Sequence, residues 1–217
     1  MIRIAALQEQ YHRYKSYILI ILLVIFYTVG VFGLASEKRD EFLRLTSLNL
    51  SVSFIILVLA RIRHSVKFYT FLFIAFFLGM TAEWIGIHTG KLFGNYIYGE
   101  NLGLKWHGVP VIIGLNWAML TIITASCMQF FRIHFILKIL GAAALMLVLD
   151  LLIEPVAIKS DYWIWHGDIP VSNFIDWFIV ALVLQVIYFR SNLAEPNKVA
   201  VSLYMIQLAF FAILNLI

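Results

Sequence analysis

Seven apolar stretches, each near the length of a membrane span, constrain the fold of this chain more than any other feature. A transmembrane helix needs roughly 20 mostly apolar residues, and here 63% of the residues are hydrophobic and 13% are charged. That balance lies outside the usual range of a soluble domain. The sequence therefore predicts an all-α fold, a polytopic membrane helix bundle of about seven transmembrane helices, with spans at about residues 16–35, 42–60, 68–87, 109–128, 133–153, 173–189 and 199–217.

The number of spans has one alternative. The second stretch carries Arg44 and Asn49 among several hydroxyl side chains, and the last two stretches are short, so a bundle of six helices also fits. The first stretch is longer than the core of a signal peptide and has no clear A-x-A site, so we expect it to be retained. No Pro-, Gly- or Ser-rich linker separates the stretches, which predicts a single integral-membrane helical domain over residues 1–217.

The distribution of basic residues predicts the orientation of the bundle. Ten of the 16 Lys and Arg residues lie on the side of the N terminus and six lie on the other side, and basic residues are retained in the cytoplasm. We therefore expect a cytoplasmic N terminus in the cell (inner) membrane, with the two longest connections, residues 88–108 and 154–172, on the outer side. Short basic loops also account for the net charge of +4, so no nucleic-acid partner is indicated.

A carboxylate and a series of aromatic residues follow the third stretch, in the segment EWIGIHTGKLFGNYIYG. Glu83 lies near the end of the predicted span, where an ionised carboxylate must face the bundle, find a donor or stay protonated. The glycines predict an ordered loop that could roof a pocket. Trp84, His88, Tyr96 and Tyr98 are candidate ligand contacts in this segment, although an aromatic belt at the membrane interface is the alternative for such residues.

A pair of acidic residues ends the fifth stretch. Asp150 and Glu154 are four residues apart, so both carboxylates lie on one face of the predicted helix before Pro155. Two neighbouring carboxyl groups in a low dielectric cannot both ionise without a large cost in free energy. One that keeps its proton beside one that is ionised is an arrangement that suits a general acid beside a base. The alternative interpretation is that the two carboxylates are solvated, or paired with cations, at the end of the helix.

Further polar and aromatic residues accompany these acids. Asn173 and Asp176 lie three residues apart at the start of the sixth stretch, beside Trp177, and so share a helix face. Asn173 is either a helix cap or a pocket residue. In the fourth stretch Asn116 and Trp117 interrupt an apolar run, and Asn116 is expected either to bond a neighbouring helix or to line the site.

Several classes of protein are disfavoured by the residues. Cys127 is the only cysteine, so there is no disulfide framework and no CxxC metal site. The six histidines are scattered, and His88 and His107 lack the spacing of metal ligands. The last stretch contains no lysine for a retinal Schiff base. We therefore expect neither a metal nor another cofactor.

Four segments, taken in order, resemble the membrane carotenoid-biosynthesis family that includes bisanhydrobacterioruberin hydratase and the carotenoid 1'-hydratases. They span residues 81–177, about half of the chain, and depart from the family pattern at Glu154, where Asp is common, and at Gly114, where Pro is common. The flanking stretches match only in being apolar. The segments are AEWIGIHTGKLFGNYIYGENLG, GVPVIIGLNW, DLLIEPVA and WIWHGDIPVSNFIDW.

The resemblance implies a hydro-lyase that adds water to the terminal C=C bond of an acyclic carotenoid or similar polyene lipid, without a redox cofactor. A carboxylic acid would protonate the alkene, aromatic rings would stabilise the tertiary carbocation, and water would capture it. The proton-handling candidates are Glu83, Asp150, Glu154 and Asp176, with Asp150 or Glu83 as the acid. The remaining candidates bind substrate: Trp84, His88, Tyr96, Tyr98, Asn116, Trp117, Trp165, Asn173 and Trp177.

Two alternatives to a hydratase stay open at this point. A carotenoid end-group cyclase or isomerase would use the same proton-first chemistry. A noncatalytic lipid- or polyene-binding protein or transporter would also need an apolar groove between its helices. The sequence has no convincing internal repeat of the kind that many transporters show.

Overall fold

The computed structural model describes residues 2–217, and it describes side chains at residue 10 and over residues 13–217. The described chain is mainly helical, with two short two-stranded sheets, so the predicted all-α membrane bundle is confirmed. Its elements in chain order are α1 (Ile2–Leu34), α2 (Arg39–Arg44), α3 (Thr46–Leu59), α4 (Val66–Thr89), β1 (Tyr96–Tyr98), β2 (Lys105–Trp106), β3 (Val109–Pro110), α5 (Val111–Gln129), α6 (Phe135–Lys159), β4 (Trp163–Trp165), α7 (Val171–Arg190) and α8 (Lys198–Leu216).

Six described helices are long and apolar enough to cross a membrane. The second predicted span is wrong as a full-length helix, because α2 and α3 meet at Leu45 and α3 contains only 14 residues. At 1.5 Å per residue α3 is roughly 21 Å long, which is short of a hydrocarbon core of roughly 30 Å. The six that qualify are Arg13–Leu34, Val66–Thr89, Val111–Gln129, Phe135–Lys159, Val171–Arg190 and Lys198–Leu216.

Although it is short, α3 still connects the two ends of the bundle. We call the end that carries residues 90–110 and 160–170 the loop end. At the loop end Thr46 Oγ1 shares a 2.7 Å hydrogen bond with Tyr162, and Ser47 Oγ donates to the carbonyl oxygen of Leu102 at 2.6 Å. Just beyond the last residue of α3, Arg61 contacts the connection between α7 and α8 at the opposite end. The chain therefore passes between the two ends seven times, with six of the passes made by long helices.

Helix α5 is the central helix of the bundle. In its most apolar 18-residue window 83% of the residues are buried, whereas the share is 22–39% in the other five long spans. It packs against α3, α4, α6, α7 and α8. A helix that is apolar on every side must be surrounded by other helices or by lipid, and here the neighbouring helices surround it.

The backbones of α4 and α5 approach each other closely through two glycines. A Cβ atom at Gly79 would lie 2.5 Å from Cδ1 of Trp117, and one at Gly114 would lie 2.6 Å from the ring of Phe76. Small residues allow this approach between membrane helices. Since Gly79 is one turn before Glu83 on α4, the approach brings the Trp117 indole beside that carboxylate.

Helix α4 has well-defined ends, and they fix the depth of Glu83. The side chain of Ser65 caps the first turn by accepting the Phe68 N–H at 3.2 Å, and Gly90 ends the helix in the left-handed conformation, with φ of 62°. Glu83 therefore lies within two turns of the loop end.

Arg61 joins the ends of several helices opposite the loop end. It is buried, and its guanidinium donates to Tyr188 Oη at 3.0 Å and to the carbonyl oxygen of Leu193 at 2.9 Å. The same group lies 4.1 Å from the ring centroid of Phe68. A planar fork of donors can serve several acceptors and an aromatic face at once, so one side chain fastens the α3–α4 connection to α7.

We expect Arg61→Met to destabilise the protein by about 3 kcal/mol, because it leaves the Leu193 carbonyl and the Tyr188 hydroxyl without their donors. Arg61→Lys should recover only part of this loss, since a single ammonium group cannot reproduce the fork. Unfolding by sodium dodecyl sulfate in mixed micelles measures the difference. Arg63→Met, at an exposed neighbour, is the control, and an equal loss there would contradict the assignment.

Candidate active site

The two long loops are joined by a short antiparallel ladder between β1 and β4. Both strands have the pattern aromatic, Ile, aromatic, and residues two apart on a strand share a face. The isoleucines are 46–47% exposed on one side, so the four aromatic rings share the other side. We call these four, Tyr96, Tyr98, Trp163 and Trp165, the aromatic plate. The Cα partners are Tyr96 with Trp165, Ile97 with Ile164, and Tyr98 with Trp163.

Glu83 is buried beneath the plate and is held by three ring donors. Its side chain is 2% exposed. Tyr96 and Tyr98 donate their hydroxyl hydrogens to Oε2, the latter at 2.8 Å, and Trp117 Nε1 donates to Oε1 at 3.0 Å. The expectation that this acid faces the bundle and finds donors is therefore met by O–H and N–H groups of aromatic rings.

The two plate tyrosines remain hydrogen-bond donors at all ordinary pH values. Burial raises the pKa of Tyr96 and of Tyr98 well above the usual value, and the nearby Glu83 carboxylate raises both further. Their hydroxyl groups therefore keep the hydrogens that Glu83 accepts.

Glu154 is held by the other half of the aromatic plate. The indole N–H groups of Trp163 and Trp165 both donate to its Oε1, the former at 2.8 Å. The plate therefore divides by residue type, with its tyrosines bound to the acid of α4 and its tryptophans bound to the acid of α6. This pairing fixes both loops over the ends of the two helices.

Asp150 differs from both of these acids. It is 1% exposed and lies one turn before Glu154 on α6, on the same face. Its Oδ2 is buried without a hydrogen-bond partner among the described residues. Buried polar atoms are normally paired, so an orphaned carboxyl oxygen marks a position for chemistry or for a ligand.

A cavity of about 240 Å³ brings the three acids together near the loop end. Among the residues predicted for the site, those that line it are Glu83, Asp150, Glu154, Tyr96, Tyr98, Asn116, Trp165, Asn173 and Trp177. Asn173 is a pocket residue and makes no cap, because α7 is preceded by Pro170 and has no side-chain cap bond. Most of the remaining wall is aliphatic or aromatic, so the acids face an apolar space.

Trp117 lies outside the cavity and contacts two of the residues that line it. It is fully buried and is not among the lining residues, but its ring stacks on that of Trp177 with centroids 4.0 Å apart. It therefore orients two groups that do line the cavity, Glu83 by a hydrogen bond and Trp177 by stacking.

Trp84 and His88 are not brought to the cavity, in contrast to the prediction from sequence. Trp84 is 40% exposed and its ring lies against that of His88, with centroids 4.9 Å apart. One helical position rotates a side chain by about 100°, which turns Trp84 away from the face that carries Glu83. Both residues lie on the outer surface near the loop end, where an aromatic belt is expected.

Asp176 also lies outside the cavity, although it was a candidate for proton transfer. Its Oδ2 accepts the backbone N–H of Phe93 at 2.8 Å. Phe93 has φ of 66°, an uncommon conformation for a residue with a side chain. The carboxylate therefore holds a strained turn of the first loop, and the Phe93 ring in turn lines the cavity.

Several lining residues were not predicted for the site. Trp163 had a detectable signal, since W-I-W and Y-I-Y share one alternation and strands so patterned can pair. Tyr27, Asn49 and Gln207 are single polar residues within apolar helices and line the cavity from α1, α3 and α8. Their shared position depends on distances between helices. The described residues contain no group of three or more His, Cys, Asp or Glu placed to hold a metal ion.

The fold and this cavity define a polytopic membrane protein with buried acids facing an apolar pocket. The family model for carotenoid biosynthesis proteins matches residues 44–217, and the chain therefore belongs to the carotenoid biosynthesis protein family. The resemblance seen in the sequence is confirmed. No curated protein and no solved structure matches the chain.

We expect Gly79→Ala to destabilise the protein by about 1–3 kcal/mol, because the added Cβ must displace the buried Trp117 ring. Trp117→Ala removes the two nearest atoms, Cδ1 at 2.5 Å and Cγ at 2.6 Å, so the double variant should lose less than the sum of the single losses. Detergent unfolding of the four proteins completes the cycle. Additive losses would show that Gly79 and Trp117 are not in contact.

Proposed function

We propose that the protein is a carotenoid end-group hydratase, a hydro-lyase that adds water across the terminal C=C bond of an acyclic carotenoid. The observation that carries the proposal is the unpartnered Asp150 carboxyl group, which faces the same apolar cavity as two acids already held by ring donors. Proton-first chemistry on an alkene needs an acid that is buried, unpaired and beside a base.

Asp150 is the proton donor in this mechanism. An ionised carboxylate without a donor in an apolar site is costly, so Asp150 holds its proton. Glu83 and Glu154 differ, because each accepts two or more hydrogen bonds from ring N–H or O–H groups. Those bonds stabilise a carboxylate and orient it.

The hydration step balances without an oxidant or a reductant. The π electrons of the alkene take the proton of Asp150 at the less substituted carbon, and the other carbon becomes a tertiary cation. A lone pair of water then forms the C–O bond. Glu154 accepts the proton that the bound water loses and returns it to Asp150, one helical turn away. One water is consumed and a tertiary alcohol is formed.

Aromatic faces beside the acids would stabilise the cation. Trp165 and Trp177 line the cavity, and Trp177 is fixed by its stack on Trp117. A cation over an indole face is favoured by about 2 kcal/mol or more where water is excluded. Stabilisation of charge that develops only in the transition state accelerates the reaction.

The size of the cavity indicates how a long polyene would bind. A volume of about 240 Å³ is smaller than the roughly 300–1,000 Å³ of pockets that enclose drug-sized ligands, so the cavity suits an end group. Four lining residues are also exposed on the outer surface of α1 and of the α2–α3 segment, which indicates a mouth toward lipid. They are Phe26, Val29, Leu45 and Leu48.

Cells that make an acyclic carotene test the reaction. Expression of the protein should give a pigment heavier by one water, and Asp150→Asn should lower its formation by about 10²–10⁴-fold. Asp176→Asn is the matched control and should keep most of the activity, because an amide oxygen can still accept the Phe93 N–H. Pigment mass and protein level in the membrane are measured together.

Three outcomes would contradict the hydratase proposal. A product of unchanged mass and shifted absorption would indicate an end-group cyclase or isomerase. Unchanged pigment that copurifies with the protein would indicate a binding or transport protein. Full activity in Asp150→Asn would show that another group supplies the proton.

The proposed mouth is tested at Gly30, a lining residue of α1. A Cβ atom there would lie 3.2 Å from Cε2 of Phe210, so Gly30→Leu should narrow the cavity. We expect kcat/KM for a full-length carotene to fall by about 10-fold or more, a loss of about 1.4 kcal/mol, and to fall less for a short alkene with the same end group. Phe32→Leu, at an exposed residue of α1 outside the cavity, is the control. Equal losses for both substrates would argue against a mouth at this position.

A further inference from the structure

The cavity has a second polar wall that the hydration mechanism does not use. Tyr27 on α1, Asn49 on α3 and Gln207 on α8 line it together, and Gln207 is 2% exposed. The apolar residues Leu50 and Phe210 line the same cavity, and the Phe210 ring lies against that of Tyr27 with centroids 5.2 Å apart. Three polar side chains from three membrane helices thus lie around one apolar space.

The hydrogen bonds within this group leave the Tyr27 hydroxyl hydrogen and two amide oxygens without partners among the described residues. Gln207 Nε2 donates to Tyr27 Oη at 2.9 Å, and Ser53 Oγ donates to the same oxygen at 3.4 Å. The Tyr27 oxygen accepts twice, so its own hydrogen is available to donate. Asn49 Oδ1 and Gln207 Oε1 are both buried and have no partner among the described residues.

Reversing the Gln207 amide does not pair both of its polar atoms; it only changes which one is free, because with the oxygen on the Tyr27 hydroxyl the nitrogen is unpaired. In either orientation of the Gln207 amide only one of its two polar atoms can bond to Tyr27, and the other is left without a partner. An unpaired buried polar group costs about 1–3 kcal/mol. A side chain that bears this cost inside a membrane helix points to a ligand that removes it.

The group lies apart from the acids. Asn215 Nδ2 donates to the carbonyl oxygen of Leu152 at 2.8 Å, which places these two residues of α8 and α6 at one level. Both helices run toward the loop end. Gln207 precedes Asn215 by eight residues, and Asp150 precedes Leu152 by two, so both lie farther from the loop end than that level. By this alignment Gln207 lies six residues, roughly 9 Å, deeper than Asp150, and the bond from Tyr204 Oη to the carbonyl oxygen of Leu145 gives two residues, roughly 3 Å.

We propose that Tyr27, Asn49 and Gln207 form a hydroxyl-binding subsite. The bound O–H group accepts the free hydrogen of Tyr27 and donates its own hydrogen to one of the two amide oxygens, whereas a water molecule has two hydrogens and can pair both. Two acceptor oxygens disfavour an anion, and an apolar polyene alone cannot pair them. The ligand is an alcohol group on a bound polyene or a water molecule, and neither depends on which reaction the carboxyl groups perform.

Binding measurements test the alcohol source. An acyclic carotene and the matching carotenoid alcohol are titrated into the purified protein in nanodiscs and followed by quenching of tryptophan fluorescence. We expect the wild type to bind the alcohol about 5- to 10-fold more tightly than the carotene. This ratio corresponds to a hydrogen bond that contributes about 1 kcal/mol or slightly more. The variant that removes the accepting oxygen, Gln207→Met or Asn49→Leu, should reduce this preference to less than about twofold, and a preference kept in both variants would contradict the subsite.

Infrared spectroscopy tests the water source. A bound water gives an O–H stretching band that shifts when heavy-oxygen water replaces ordinary water, and Gln207→Met should remove that band. Tyr27→Phe takes away only the free hydroxyl hydrogen and its oxygen, and it serves as a second variant where Gln207→Met does not fold. Loss of the alcohol preference or of the water band in these variants supports the subsite and identifies its ligand.

Gln185→Met is the matched control for both measurements. Gln185 is also a fully buried membrane glutamine with an unpartnered Oε1, but it does not line the cavity. It should keep the wild-type preference and the water band. The proposal is overturned if the wild type shows neither signal, or if Gln185→Met causes the same loss. Since both readouts are independent of turnover, absence of a hydrated product would contradict the hydratase and leave the subsite unaffected.

Discussion

The pairing of buried carboxyl groups with donors on aromatic rings is the interaction on which the rest of this structure depends. In lipid a carboxylate has no water to accept hydrogen bonds from, and an unpaired one is costly. Glu83 and Glu154 are satisfied by the aromatic plate, whose strands come from two loops 65 or more residues apart in sequence. The ladder between the loops and the hydrogen bonds to the helices therefore stabilise each other, and together they close the loop end of the bundle.

Because the plate supplies its donors to two acids, the third is left distinct. Asp150 faces the same cavity with a buried oxygen that has no hydrogen-bond partner in the described part of the chain. One unpaired acid beside two that accept hydrogen bonds is the arrangement on which we base the proposal of proton donation to an alkene. The apolar wall and the mouth toward lipid complement an acyclic polyene, which agrees with membership of the carotenoid biosynthesis protein family.

Much of the fold could be predicted from the sequence, since the length of apolar runs is fixed by bilayer thickness. The second span was the exception. The regular helix is interrupted at Leu45, between α2 and α3, and Arg61 lies beyond α3 in a set of tertiary contacts that no local pattern contains. At the site, spacing along α6 placed Asp150 and Glu154 on one face. The same kind of reasoning could not separate Glu83 from its neighbour Trp84, because the rotation of a helix about its axis is set by packing.

Hydropathy and the order of motifs are properties of the sequence, so the sequence was sufficient to predict a membrane helix bundle, the association of the two loops with the acids, and the family resemblance. Three facts could be seen only in the tertiary structure: which acid is unpaired among the described residues, that Asp176 lies outside the cavity and holds a loop, and that Tyr27, Asn49 and Gln207 line one wall. Those facts depend on distances between helices that are far apart in sequence. Close approach of backbones at glycines such as Gly79 sets such distances, and the sequence contains the glycines but not the partner that each one meets.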